Sequence, residues 1–202
     1  MSSLSIYIQL GLEHITDVNG YDHILFIMAL MAVFNFTDTK KILILVTAFT
    51  LGHSITLALA SLKFVQVNTA WVEFLIPVTI LLTGIGNIFH NSPSANTYGR
   101  SIQRSQSNKL RYIITVLFGL IHGLGFSNFL SPMIDKNESI LFPLLSFNIG
   151  LELGQIAIVL VVILANFVLV GLARLTERDW NMLISGATGS ISILLIAERI
   201  PF

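Results

Sequence analysis

The chain has 202 residues, 54% of them hydrophobic and only 11% charged, with a mean hydropathy of +0.81. A soluble domain carries about 25% charged residues, so the sequence specifies an integral membrane protein whose bulk partner is lipid. Eleven basic against eleven acidic side chains leave no basic face for nucleic acid, and the absence of cysteine excludes disulfides, thiolate ligands and a thiol nucleophile.

The N-terminal MSSLSIYIQLGLEH has no positive n-region and no small-residue cleavage site, and its apolar part is too short to cross a bilayer. It is expected as a retained interfacial or re-entrant segment rather than a signal peptide. HITDVNGYDHILF, residues 14 to 26, follows. Its flanks do not alternate as strands would, so Gly20 reads as a break between helical segments. A calcium loop is rejected because the glycine is misplaced and the twelfth position falls on Met28.

Crossing the hydrocarbon takes about 20 apolar residues as a helix. Six spans are predicted, at 23–37, 42–62, 71–89, 110–130, 140–172 and 180–197, the first short and the fifth long enough to tilt. The Ser-, Asn- and Gln-rich stretch 91–109 reads as a connecting loop, and His90 before it as structural. No internal repeat appears. The expected fold is one all-α transmembrane domain over 1–202, a six-helix bundle with a short N-terminal interfacial or re-entrant segment.

Loops after the first, third and fifth spans hold Lys40, Lys41, Arg100, Arg104, Lys109, Arg111, Arg174 and Arg178, eight of the eleven basic residues. Lys63, Lys136 and Arg199 fall on the other side. The positive-inside rule then puts both termini outside.

At about 1.5 Å per residue, His53, His122 and Glu152 all fall near the midplane, from three different helices. An ionisable group at that depth costs about 2.5–3.5 kcal/mol by insertion scales, so each should face a protein interior or wet cavity with a partner. Glu152 shares a helical face with Asn148 and Gln155, and His53 is followed by Ser54 and Thr56, hydroxyls suited to orienting it. Gly119, Gly123, Gly150 and Gly154 permit close helix approach beside these groups. Asp22 and His23 are expected at the rim of a cavity floored by His53, His122 and Glu152.

Imidazoles and carboxylates on separate elements suit a divalent transition metal such as nickel, cobalt or zinc. The predicted ligands are His14, Asp22, His23, His53, His122 and Glu152, supported by Asp17, Ser54, Thr56, Glu73, Asn148 and Gln155. Each also has a plainer reading. A single intramembrane histidine can act as hydrogen-bonding glue, Glu152 as a protonated carboxyl, Glu73 as a helix-dipole partner, and His14 and Asp17 as ordinary interface residues.

The stretches GLEHITDVNGYDHILFIMAL, VTAFTLGHSITLALA, Val72-Glu73, LFGLIHGLGFSNFL and SFNIGLELGQ resemble the HupE/UreJ family of bacterial membrane proteins. The resemblance implies nickel uptake or an accessory role in hydrogenase and urease maturation. It matches His14, Asp22 and His23 to the family's first-helix histidine and Asp-His motif, and His122 to its later His-Gly motif. Partners would be metalloenzyme-maturation proteins or a second copy of the chain. Seven residues separate His14 from Asp22, two more than in the nickel permeases, which leaves the metal's identity open.

The leading expectation is a divalent-cation permease of nickel or cobalt type. Its competitor is a membrane-embedded zinc-type hydrolase with Asp22 or Glu152 as general base. A third reading is a non-catalytic assembly protein whose polar groups lock helices together.

Overall fold

The computed structural model of the chain describes the backbone at residues 3–89, 100–130 and 140–201, with side chains at 4–89, 109–126 and 140–201. His90, Lys136 and the first part of the expected 91–109 connector lie outside the described residues. The described elements are α1 (Ser3–Thr16), α2 (Asp22–Met31), a 3-10 turn (Phe36–Asp38), α3 (Thr39–Ser61), α4 (Thr69–Ile88), α5 (Arg100–Leu130), α6 (Leu141–Asn166, continued by a π-helical Phe167–Leu172) and α7 (Glu177–Glu198). No strand occurs among the described residues.

Five helical stretches are long and apolar enough to cross a membrane: Phe36–Ser61, Thr69–Ile88, Lys109–Phe126, Leu141–Leu172 and Glu177–Glu198. The chain is therefore an all-helical membrane protein, and it departs from the sequence expectation at two places. The first expected span, 23–37, is helical only as the ten-residue α2, because the chain leaves the helix after Met31 and Asn35 then caps the 3-10 turn through Thr37 N (3.0 Å). Ten residues rise about 15 Å, half the hydrocarbon thickness. The expected loop 91–109 is helical from Arg100 onward; its polar side chains hide the helix from a hydropathy reading.

The most extensive contacts join the helices in pairs, α3 with α5, α1 with α6 and α4 with α7. Glycine sets the first two. A Cβ on Gly52 would meet the carbonyl of Val116, one on Gly119 the Phe49 carbonyl and His53 N, and one on Gly123 the His53 carbonyl. Residue numbers rise together, so α3 and α5 run parallel with their backbones touching. In the same way Gly150 faces the Ile8 carbonyl, Gly11 faces Phe147 and Leu151, and Gly154 faces Leu12 and Ile15. The N-terminal segment is thus a short helix seated along α6. The α4–α7 pair is antiparallel, with Gly84 against Ser185 and Asn181 bonded to the Asn87 carbonyl (2.8 Å).

Between the pairs lies a core of Phe26, Ile27, Met31, Leu45, Phe49, Leu57, Phe147 and Leu151, all buried. Leu43, Leu51, Ile55, Leu82, Leu160, Val161, Leu164, Leu183 and Leu194 stand outward and exposed. An apolar surface of this extent belongs against lipid.

Candidate functional site

Four imidazoles meet where these elements converge. His14 comes from the last turn of α1, His23 from the first turn of α2, His53 from α3 and His122 from α5. His23 is the hub: its ring centroid lies 4.6 Å from that of His14, 5.8 Å from His53 and 5.1 Å from His122. His14 and His53 are also 5.8 Å apart. Imidazoles sharing one ion at about 2.1 Å per nitrogen would have centroids about 4.5–5.5 Å apart for octahedral to tetrahedral angles. The observed spacing matches or slightly exceeds that range. Among the described residues, no group of three or more His, Asp or Glu side chains is positioned, as it stands, to hold an ion.

Burial makes the cluster costly unless it has a partner. His53 is 0% exposed and both of its ring nitrogens lack a hydrogen-bond partner among the described residues. The same holds for Nε2 of His14 and of His23 and for Nδ1 of His122. Each such orphaned group costs about 1–3 kcal/mol. Native interiors rarely retain five together, and such sets call for an unplaced ion or water.

One edge of the His122 ring is anchored by its neighbour. The Thr79 hydroxyl lies between the Ile76 carbonyl (2.7 Å) and His122 Nε2 (3.0 Å), while Nδ1 is buried without a partner among the described residues. A hydroxyl bonded to the far nitrogen in this way would orient the ring as a metal ligand. Phe126 packs on His14, with centroids 3.8 Å apart, while Phe49 and Phe26 pack on His122 at 5.2 and 5.1 Å.

A cavity of about 760 Å³ leads to three of the four rings, His14, His23 and His122. Its lining carries four carboxylates, Glu13, Asp17, Asp22 and Glu73, and one guanidinium, Arg199. Arg199 Nη1 donates to Asp22 Oδ2 at 2.9 Å. The acidic excess draws cations toward the imidazoles.

The remaining expected residues fall elsewhere. Glu152 is half-buried on α6 and does not line the cavity. Gln155 on the same helix accepts from the Thr50 hydroxyl (2.7 Å), tying α6 to α3. Asn148 Oδ1 is buried without a partner among the described residues. Ser54 donates to the Thr50 carbonyl (2.6 Å), and Thr56 bonds the carbonyls of Gly52 and His53 (each 3.3 Å); both hydroxyls serve the helix backbone rather than the His53 ring.

The sequence matches the family described as HupE / UreJ protein over residues 1–199. The chain belongs to the HupE/UreJ family. No curated protein and no solved structure was found to match it. At the end opposite the cavity, this HupE/UreJ chain carries a polar hub. Asn87 Nδ2 donates to the Ala29 carbonyl (2.6 Å) and Asn87 Oδ1 accepts from Arg111 (3.1 Å), while Asn181 bonds the Asn87 carbonyl.

Sequence reasoning missed Thr79, Phe126 and Arg199. Thr79 sits seven residues from the helix end marked by Val72-Glu73, in an unremarkable apolar run. Arg199 stands 177 residues from its partner Asp22, so nothing local announces the pair.

Proposed function

We propose that this HupE/UreJ protein handles a divalent transition metal as its substrate, as a permease of nickel or cobalt type. The ion would enter through the acidic cavity and settle among His14, His23, His53 and His122, with Asp22 as the neighbouring carboxylate. The observation that carries this reading is the five buried, unpartnered imidazole nitrogens on four converging elements. Cation binding would satisfy one nitrogen on each of the four rings, four of the five, and small turns of the rings would bring ligand spacing to ligand convergence. Two short helices meeting end to end beside the site are also how transporters build ion sites. Lys40, Lys41, Arg174 and Arg178 flank the helix ends opposite the cavity. The positive-inside rule therefore turns the cavity outward, in the inner membrane of a bacterium.

A second reading has its own support. The cavity, about 760 Å³, exceeds the roughly 200 Å³ of a hydrated ion at about 30 Å³ per water, and at the opposite end the Asn87 hub ties α2, α4, α5 and α7 together. Both features suit a zinc-type hydrolase, in which the metal would supply Lewis acidity and Asp22, next to His23 in sequence and lining the cavity, would serve as general base.

Metal content of the purified protein, with His53→Ala and His122→Ala alongside, tests both. Loss of stoichiometric metal in the variants supports a site; its absence from the wild type removes both readings. Radioactive nickel or cobalt flux into proteoliposomes then separates them, since tight binding without flux favours the enzyme. The chain has no cysteine, so Glu73→Cys and Arg174→Cys give clean labelling. An impermeant thiol reagent applied outside cells should reach the first and not the second; the reverse would invert the orientation.

A further inference from the structure

We propose that Arg199 is a built-in competitor for the cation at Asp22, a specificity-determining residue that an entering divalent ion must displace. The proposal rests on the metal-site reading above and adds to it a residue that reading does not use.

Three observations carry it. First, Asp22 is adjacent in sequence to His23, the hub of the imidazole cluster, and its two oxygens are unequally served. Oδ2 receives Arg199 at 2.9 Å, while Oδ1 is buried with no hydrogen-bond partner among the described residues. One oxygen is held by a cation and the other is left unspent. Second, the position of Arg199 is built. Its backbone N–H closes the last turn of α7 on Leu195 (3.0 Å). Pro77 inside α4 has no N–H, so the Glu73 carbonyl four residues earlier loses its helical donor. Arg199 Nη1 stands 3.5 Å from that carbonyl. The guanidinium thus spans an acceptor on α2 and one on α4. Third, Arg199 is the one cationic side chain among four carboxylates lining the cavity, and it engages the one whose side chain is 14% exposed, while Glu13, Asp17 and Glu73 are exposed.

A guanidinium donates hydrogen bonds but has no lone pair, so it cannot ligate a metal, and its charge opposes any cation arriving at His23. Tethered to α7, it is present at high effective concentration and holds the carboxylate against dilute monovalent ions. A divalent ion that gains imidazole nitrogens at the same time has the means to take Asp22 from it. Arg199 would then swing toward the exposed carboxylates of the mouth.

The test uses the full-length protein in detergent, titrated with Co²⁺ and followed by its visible absorption, for wild type, R199Q, D22N and the double variant. Arg199→Gln should tighten Co²⁺ binding about two- to fivefold, the size of a partly exposed ion pair. In the D22N background the same change should alter affinity less than twofold. Unchanged or weaker binding in a folded R199Q overturns the proposal, as does an equal gain without Asp22. A wild type that binds Co²⁺ while R199Q matches it fails this proposal alone; a wild type that binds none fails the site reading and this proposal with it. A variant-free measurement covers poor folding of R199Q. Co²⁺ should speed modification of Arg199 by phenylglyoxal in the wild type, read by peptide mapping, and an unaltered rate again overturns the proposal.

Discussion

Replacing Gly119 by alanine should damage both the stability of the bundle and its affinity for metal, whereas the same replacement at Gly186 should do neither. A Cβ at Gly119 would fall on the Phe49 carbonyl oxygen and within 3.1 Å of His53 N. These are backbone atoms of the helix opposite and cannot rotate away, so the α3–α5 crossing must open by about 1 Å. Overpacking of this kind costs about 1–3 kcal/mol, offset by up to about 1 kcal/mol from alanine's better helix propensity. A net loss of about 1–2 kcal/mol lowers Tm by about 2–8 °C at 2–4 °C per kcal/mol for a chain of this size. A Cβ at Gly186 meets nothing within 4 Å, so that variant should hold or gain stability through propensity alone. Because the crowded backbone runs from Phe49 to His53 N, Gly119→Ala should also weaken Co²⁺ binding about tenfold, as loosening of a ligand's support does. The assay is thermal unfolding in detergent, with and without Co²⁺, for both variants. Equal Tm and equal affinity for the two would refute the reasoning that glycine packing positions His53.

Other consequences can be checked with the same preparation. Metal at about 100 times its Kd should stabilise the wild type by about 2.7 kcal/mol, and His53→Ala should abolish that rise in Tm while changing the metal-free Tm little, because it removes two unpartnered nitrogens along with the ring. Thr79→Val, nearly isosteric, should lower affinity about tenfold by freeing the His122 ring, with metal-free stability within about 1.5 kcal/mol of wild type; an unaltered titration would dismiss the hydroxyl as a ligand-orienting group. Asn87→Leu removes the side chain that joins α4 to α2 and α5, while the Asn181 bond to the main-chain carbonyl remains, and should cost about 1–2 kcal/mol in chemical unfolding while leaving the Co²⁺ titration unchanged.

The membrane character and the apolar helices were legible because hydropathy integrates over about 20 residues and tolerates local exceptions. The glycines around His122 and Glu152 were legible as packing positions for the same physical reason, backbone approach, although the partners they meet are three-dimensional facts. Residue type and depth singled out His53 and His122, and sequence neighbourhood singled out His14 and His23. These four lie together; depth and a shared polar face also nominated Glu152, which, like His53, is not among the residues lining the cavity. Depth fixes height in the bilayer and says nothing of azimuth around the bundle. The end of α2 at Met31 escaped notice because Ala32, Val33 and Phe34 are as apolar as the helix before them; Asn35 was the sole polar cue. Arg199 and Thr79 were illegible, one for its distance in sequence and the other because threonines pepper these helices.

The seat of α1 on α6 has a consequence for how the protein comes into being. Gly11 and Phe147 touch, yet more than a hundred residues must emerge between them. At fourteen residues, α1 is too short to cross the bilayer alone, so during synthesis it has no berth until α6 is threaded into the membrane. His14 is translated first of the four imidazoles, yet the helix that seats it emerges after the other three. The histidine cluster is therefore completed by the docking of the chain's oldest segment.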